Sequence, residues 1–458
     1  MWLVPEPGSE LMGRLRYIRG TISALTISAL LATSALAEPL TIDQALTRGL
    51  ERSPELGQAQ SRVGAAEAVR DQVQREWFPT VTLDAAVGVR HLENDARVNL
   101  GLSALDERPL YATISVNQPV WDFGRRANES RVQKARLSSA GQEELIAGEV
   151  AAYTIARAYL QVLVQQRIVT ASEDNLAFHL ALAADVGEGV EKGAMSISER
   201  QQAQERAQGA RIALDQAVAD LGTAKAELAL LVGIDSIEVS DPSDPSAALP
   251  ATLDAAMAIA ARNDPRLHSV SDQLDAAQWT AKRARTERLP TISLQGRFSQ
   301  GKDFEGYRGT TQDSQVLLSM RWNLFDGGVT SARIREADRK TDEALFALAQ
   351  ARRDSELQVR KAWIGIQSWR SKLENQQARL KLAGEVRETY RAQFGIGRRS
   401  LLDLLDAQNA VYGASVDAEV ARAGLLLSQY ALLTQLGQLR NYFGIGKTTV
   451  DPRAFGPR

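Results

Sequence analysis

Two copies of one unit lie head to tail in this chain, and that duplication limits the fold more than any other feature, because whatever one half forms the other must be able to form. At an offset of 211 residues, Ile42-Asp43-Gln44-Ala45 matches Leu253-Asp254-Ala255-Ala256, Ser53-Pro54-Glu55-Leu56 matches Asp264-Pro265-Arg266-Leu267, and Leu83 follows Pro79 as Leu294 follows Pro290. Beyond residue 112 the offset is 204. There Trp121-Asp122-Phe123-Gly124 matches Phe325-Asp326-Gly327-Gly328, Ala158-Tyr159-Leu160 matches Ala362-Trp363-Ile364, Gly193 matches Gly397, Ala203-Gln204 matches Ala407-Gln408, and Gly233 matches Gly437. The seven-residue difference belongs in a loop between two strands. The expected division is a first repeat over 38–233, a linker over 234–250 carrying Pro242, Pro245 and Pro250, a second repeat over 251–439 and a tail over 440–458.

After an opening helix, each repeat reads as two strands and then two long helices. Over 80–90, Val81, Leu83, Ala85, Val87 and Val89 alternate with Thr80, Thr82, Asp84, Ala86, Gly88 and Arg90, which is the period of a strand with one apolar face. The stretches 111–119, 291–299 and 316–324 alternate in the same way, and the polar segments 91–109 and 300–315 between them read as exposed loops. Such strands, about ten residues long, cross a bilayer when tilted, with apolar residues outward and polar residues inward. The same alternation would suit a soluble sandwich, but four alike at repeat positions favour a membrane barrel. Trp77 and Phe78 precede the first strand, Trp121 and Phe123 follow the second, and Trp322 and Phe325 close the fourth, as an interfacial aromatic girdle would.

Four strands cannot close a barrel, and lipid cannot hydrogen-bond an open sheet edge. Several copies must therefore share one barrel. Three copies give 12 strands, whereas two would leave almost no lumen.

No proline occurs between Pro119 and Pro242 or from residue 291 to 451, so helices there need not break. The spans 125–190 and 330–394 each have room for a helix of roughly 90 Å at the usual rise. Each ends in a glycine-containing turn, over 187–196 and 395–400, and returns as a second helix to Gly233 or Gly437. Small apolar residues at heptad-like spacing suit closely packed antiparallel coiled coils.

Composition removes other classes. With no cysteine there are no disulfides, no thiolate chemistry and no cysteine-held metal. Balanced charge, 54 Lys plus Arg against 56 Asp plus Glu, gives no basic stripe for nucleic acid, and a mean hydropathy of -0.24 is too polar for a bundle of lipid-facing helices. Residues 1–37 read as a signal peptide: Arg14, Arg16 and Arg19 precede a small and apolar run that closes on Ala35-Leu36-Ala37, with Met12 as an alternative start. The mature chain then begins at Glu38, and no lipid-bearing cysteine is expected there.

With these features in view, the chain resembles the TolC family of outer-membrane efflux and secretion channels over about residues 40–440. The residues that carry the resemblance are the paired openings Arg52-Ser53-Pro54-Glu55-Leu56 and Asn263-Asp264-Pro265-Arg266-Leu267, the strand exits Pro-x-x-Asp-x-Gly and Leu-Phe-Asp-Gly-Gly, and the run Gly397-Arg398-Arg399-Ser400-Leu401-Leu402-Asp403-Leu404-Leu405-Asp406-Ala407-Gln408. The resemblance implies a homotrimer with one 12-stranded barrel in outer-membrane lipid, continuous with a helical tunnel in the periplasm. It implies a passive conduit for type I secretion or multidrug efflux that works with a periplasmic adaptor (membrane fusion protein) and an inner-membrane ABC or RND transporter. The adaptor would dock at the turns marked by Gly193, Gly397 and Ser400. A soluble periplasmic coiled-coil adaptor without a pore is the rival class.

Asp403 and Asp406 are three apart and so lie on neighbouring positions of one helix face. A solvated face would look the same, but the resemblance implies carboxylates that line a periplasmic constriction. It also implies gate links at Ser198, Glu199, Phe394 and Arg399, with Glu199 facing Arg399. No catalytic, cofactor or metal motif accompanies them. His91, His179 and His268 lack ligand spacing, and Gly444-Ile445-Gly446-Lys447-Thr448 lacks the leading glycine of a phosphate loop, since Asn441 stands there.

Overall fold

The computed structural model describes residues 39–93, 95–99, 105–304 and 309–451, so the expected signal peptide and the last residues of the tail lie outside the described residues. The first repeat opens with α1 (Ile42–Glu51) and α2 (Pro54–Arg75), and the second with α6 (Leu253–Asn263) and α7 (Pro265–Thr286). The repeated Ser-Pro and Asp-Pro pairs are helix starts. Ser53 Oγ accepts from the Leu56 N–H at 3.3 Å, Asp264 Oδ1 accepts from the Arg266 N–H at 2.9 Å, and Pro54 and Pro265 occupy the first helical position, where no N–H is missed.

Four strands, β1 (Thr80–Val87), β4 (Leu110–Trp121), β5 (Thr291–Lys302) and β6 (Thr310–Arg321), form one antiparallel sheet in the order β1-β4-β5-β6. Several details depart from expectation: β4 covers Leu110–Trp121 where 111–119 was expected, and β5 runs on to Lys302, into the expected loop. β1 stops at Val87. The segment after it contains a short hairpin, β2 (Arg90–Leu92) with β3 (Leu105–Glu107), and the helix α3 (Asp95–Asn99), where a loop was expected. β6 starts at Thr310 and ends at Arg321, because twelve consecutive cross-strand partners on β5 hold its polar start in register and Trp322 turns away to donate from Nε1 to the Arg288 carbonyl at 3.0 Å.

The long helices α4 (Arg125–Glu191) and α8 (Val329–Gly395) are 67 residues each, roughly 100 Å, and return as α5 (Ile197–Val232) and α9 (Leu401–Gln435). The first part of α4 packs on α2 and α7, and the second part on α5 and α9. Buried alanines recur every seven residues on α5, at Ala203, Ala210, Ala217 and Ala224, and on α9 at Ala407, Ala414 and Ala421. A heptad of small residues lets two helix backbones approach closely along their whole length.

Buried apolar clusters fix this frame. Midway, Leu46, Leu50, Ile155, Tyr159, Leu228 and Leu433 pack together, and the Tyr159 hydroxyl, buried at the junction with the linker, lies 2.7 Å from the carbonyls of Leu40 and Ser240. A short helix, α10 (Leu439–Tyr442), closes over this region, and its first N–H groups, those of Leu439 and Arg440, donate to the buried Glu149 carboxylate at 3.0 and 3.3 Å. At the far end Leu182, Val186, Leu401, Leu404 and Leu405 form a separate cluster. Among the described residues no helix is long and apolar enough to cross a membrane.

Candidate functional site

The sheet has two different faces. Residues directly opposite on antiparallel strands share a face, so the register sets Val81, Val116, Gly296 and Val316 in one row and Leu83, Ile114 and Phe298 in the next. Most of this face is left uncovered by the described residues: Leu83 is 69% exposed and Val316 73%. The other face carries Thr82, Ser115 and Arg297, then Asp84, Thr113, Ser299 and Asp313, tied by an Arg297–Asp313 ion pair at 3.2 Å and a Thr113–Ser299 hydroxyl contact at 3.0 Å. Among the described residues, the outer edges of β1 and β6 pair with no strand. A contiguous bare apolar face is what soluble proteins avoid and what a lipid-facing sheet requires.

The expected girdle residues cluster where this sheet meets the helices, and all six are exposed: Trp77, Phe78, Trp121, Phe123, Trp322 and Phe325. Trp121 and Phe123 meet edge to face with centroids 6.0 Å apart, and Arg126 lies 4.4 Å over the Trp77 ring. Trp322 and Phe325 lie past the end of β6.

At the opposite end of the molecule, the two helix-helix turns are built alike. Gly193 and Gly397 take φ of 73° and 71°, the left-handed conformation that only glycine adopts without strain. Ser196 and Ser400 then start the return helices with reciprocal caps. Ser400 Oγ accepts from the Asp403 N–H at 3.2 Å while Asp403 Oδ2 takes the Ser400 N–H at 3.3 Å and the Ser400 hydroxyl at 2.8 Å. Ser196 and Glu199 repeat the arrangement, with Glu199 Oε2 at 2.7 Å from the Ser196 N. Ser198 makes a 2.9 Å hydroxyl contact with Ser196.

Asp403 is therefore a capping carboxylate as well as a half-exposed charge. The Ser400 hydroxyl, the Ser400 N–H and the Arg399 guanidinium hold its pKa below the usual carboxylate range. Asp406, one turn on, is exposed. The expected Glu199–Arg399 pair does not form within the chain, because both groups are engaged in their own turns. Glu199 is spent on Ser196. Arg399 donates to Gln393 Oε1 at 3.0 Å, lies 4.2 Å over the Tyr390 ring and stands 3.7 Å from Asp403. Phe394 packs with Phe178, Met195 and Tyr390 against the tip cluster.

Two features here escaped the sequence reading. Tyr390 has no local signature, since its role depends on Arg399 folding back over it. The capping boxes do have one, a Ser followed three residues later by an acid. Farther up, α4 and α9 are joined by polar contacts inside the seam, Ser172 to Tyr412 at 2.9 Å and Gln408 to Asn175 at 2.9 Å. Each histidine has its own local setting: His91 meets Asp106 at 2.7 Å, His268 meets the Arg262 carbonyl at 2.7 Å, and His179 is buried in the α4 seam, where burial lowers its basicity.

Comparison with known proteins agrees with this geometry. The family model described as outer membrane efflux protein matches residues 45–234 and 257–444. The outer membrane efflux protein BepC of Brucella suis biovar 1 is 27% identical over 348 residues, 71% of this chain and 72% of that one. The alkaline protease secretion protein AprF of Pseudomonas aeruginosa is 28% identical over 200 residues, 43% of this chain and 40% of its own. The solved structure of the outer-membrane channel OprN superposes with a TM-score of 0.76 at 19% identity, covering 87% of this chain and 90% of that one.

Proposed function

This chain belongs to the outer membrane efflux protein family and is accordingly a protein of the outer membrane that reaches into the periplasm, and from that premise we propose that three copies form one passive export conduit. The observation that carries the reading is the four-stranded sheet with one bare apolar face and two free edges. In a sheet of four antiparallel strands the two edge strands run in opposite directions. The β6 edge of one copy can thus meet the β1 edge of the next without breaking the antiparallel order, and the ring closes head to tail. Closure satisfies every edge N–H and C=O in lipid. Three copies make 12 strands, enough for an open bore, with the polar face inward.

The helices continue this bore away from the membrane to the tip. There Asp403 and Asp406 form rings of carboxylates that favour cations at a narrow passage. The tip is held shut by weak contacts. The Arg399 set is exposed, and an exposed ion pair contributes only about 0–1 kcal/mol, so a docking partner can release it. That partner is a periplasmic adaptor bound at the turns of Gly193, Gly397 and Ser400, coupled to an inner-membrane transporter that supplies the energy. The names of AprF and BepC point to secreted protein or to efflux substrates as the cargo class.

The test is single-channel recording of the detergent-extracted protein in a planar bilayer under asymmetric salt. Wild type is expected to give a small cation-selective conductance, and Asp403→Ala/Asp406→Ala to lose most of the selectivity while still conducting. Well-folded protein that never conducts would sink the conduit and favour a soluble coiled-coil adaptor.

A further inference from the structure

Where the polar face of the sheet meets the start of α4, the chain forms an open cavity of about 500 Å³. Three arginines line it, Arg125, Arg126 and Arg321, with Glu76 and Asp122 as the acids. Their situations differ sharply. Arg126 is 4% exposed and fully engaged: Nε donates to Asp122 at 2.6 Å, Nη1 donates to the Glu76 carbonyl at 3.3 Å, and the guanidinium covers Trp77. Asp122 is equally committed, since it also accepts from the N–H groups of Gly124 and Arg126, each at 3.1 Å. These two residues neutralise each other and hold the elbow from β4 into α4.

Arg125 and Arg321 are left over. Both are exposed, and neither guanidinium has a hydrogen-bond or ion-pair partner among the described residues. Around them the cavity offers the side chains of Asn117, Ser293, Gln295 and Ser319. With the Arg126–Asp122 pair cancelled, two cationic forks face one carboxylate, Glu76. Two planar forks set in a polar concavity match the oxygens of a compact polyanion, which each fork can grip through two parallel N–H donors.

The second repeat builds the same elbow without the paired arginines of α4. Asp326 caps α8 as Asp122 caps α4, taking the Gly328 and Thr330 N–H groups at 3.0 and 2.8 Å. At the matching offset, however, the second elbow has Val329 for Arg125 and Thr330 for Arg126, while Arg321 precedes that second elbow and the first has Asn117 in its place. Forming the elbow therefore does not require the free arginines.

We propose that this cavity is an anion subsite for a phosphate-bearing or polycarboxylate group, one per chain, at the foot of the sheet. The proposal rests on the ring described above, in which the polar face lines the bore. It then gives the conduit opposite charge preferences at its two ends, acidic at the tip and basic at the membrane. An anion arriving from the barrel side reaches the arginines without passing the tip carboxylates.

Inorganic pyrophosphate is the probe. Added on the barrel side of a bilayer holding wild-type protein, it is expected to reduce the current, and Arg125→Gln/Arg321→Gln is expected to raise the half-blocking concentration by about tenfold or more, as loss of two charge-assisted forks implies. The tip side should show much weaker block. Equal block in wild type and variant, or no block from either side, would overturn the subsite while leaving the conduit standing. Calorimetric titration of pyrophosphate into detergent-extracted full-length protein reads the subsite without current. Binding by wild type that the double variant loses supports it even if no channel is seen, and no binding by wild type overturns it.

Discussion

The two turns at the tip share a backbone and differ in almost everything that surrounds it. Gly193 and Gly397, Ser196 and Ser400, and Glu199 and Asp403 occupy equivalent positions with equivalent caps. The first residues of the two return helices then diverge. α9 buries Leu401, Leu404 and Leu405 in the tip cluster, whereas the matching Ile197 and Gln201 of α5 are exposed. Met195 of the first turn lies against Gly189, whereas Arg399 of the second is held by Tyr390 and Asp403. Local capping is alike in both turns because it depends only on residues three apart. Packing and charge depend on neighbours from other helices, and there the two turns differ. The second turn became the packed and charged one.

The sharpest test of that contrast is a pair of matched truncations. Leu405→Ala empties a fully buried position and is expected to cost about 2–5 kcal/mol, while Gln201→Ala on exposed surface should stay within about 0.5 kcal/mol. Thermal unfolding of the helical signal in detergent reads both, and similar losses would erase the distinction. A smaller effect probes what the turns share. Ser196→Ala and Ser400→Ala should each destabilise their helix start by about 1 kcal/mol, visible as faster amide exchange in the first turn of α5 and of α9. A much larger loss at Ser400 would mean that Arg399 and the cap act as one unit.

The smallest effect is on titration. The bonds from Ser400, together with the nearby Arg399, keep the Asp403 pKa below the ordinary range. A lowered value in the folded protein preserves the negative charge as pH falls, so cation preference should persist to lower pH in wild type than in Ser400→Ala. Identical midpoints would remove Ser400 from the account.

Much of this molecule can be read from the amino-acid order alone. Long proline-free spans, period-two alternation and glycines at the turns are local signals, and the helices, strands and turns follow them closely. The start of β6 is different: Thr310 to Ser314 shows little apolar alternation, and its strand character comes from bonding to β5. Asp403 looked like a free charge because a cap and a channel-lining acid have the same side chain, although the serine three residues earlier marks it as a cap. Tyr390 and the Asn175–Gln408 contact were beyond reach, since each is made by residues that meet only after the helices have packed. The Arg125 and Arg321 cavity lay hidden for the same reason, its two arginines being far apart in the chain and brought to one place by the sheet.

The free edges of β1 and β6 have a consequence for inheritance. In the proposed ring every copy supplies one seam to each neighbour, so a chain whose β1 edge is spoiled by proline still joins through β6 and leaves a gap that no healthy copy can fill. When such an allele is expressed equally beside the normal one, roughly one ring in eight is assembled wholly from sound chains. Damage at the sheet edge would then be genetically dominant, while a chain too unstable to fold would never enter a ring and would behave as recessive.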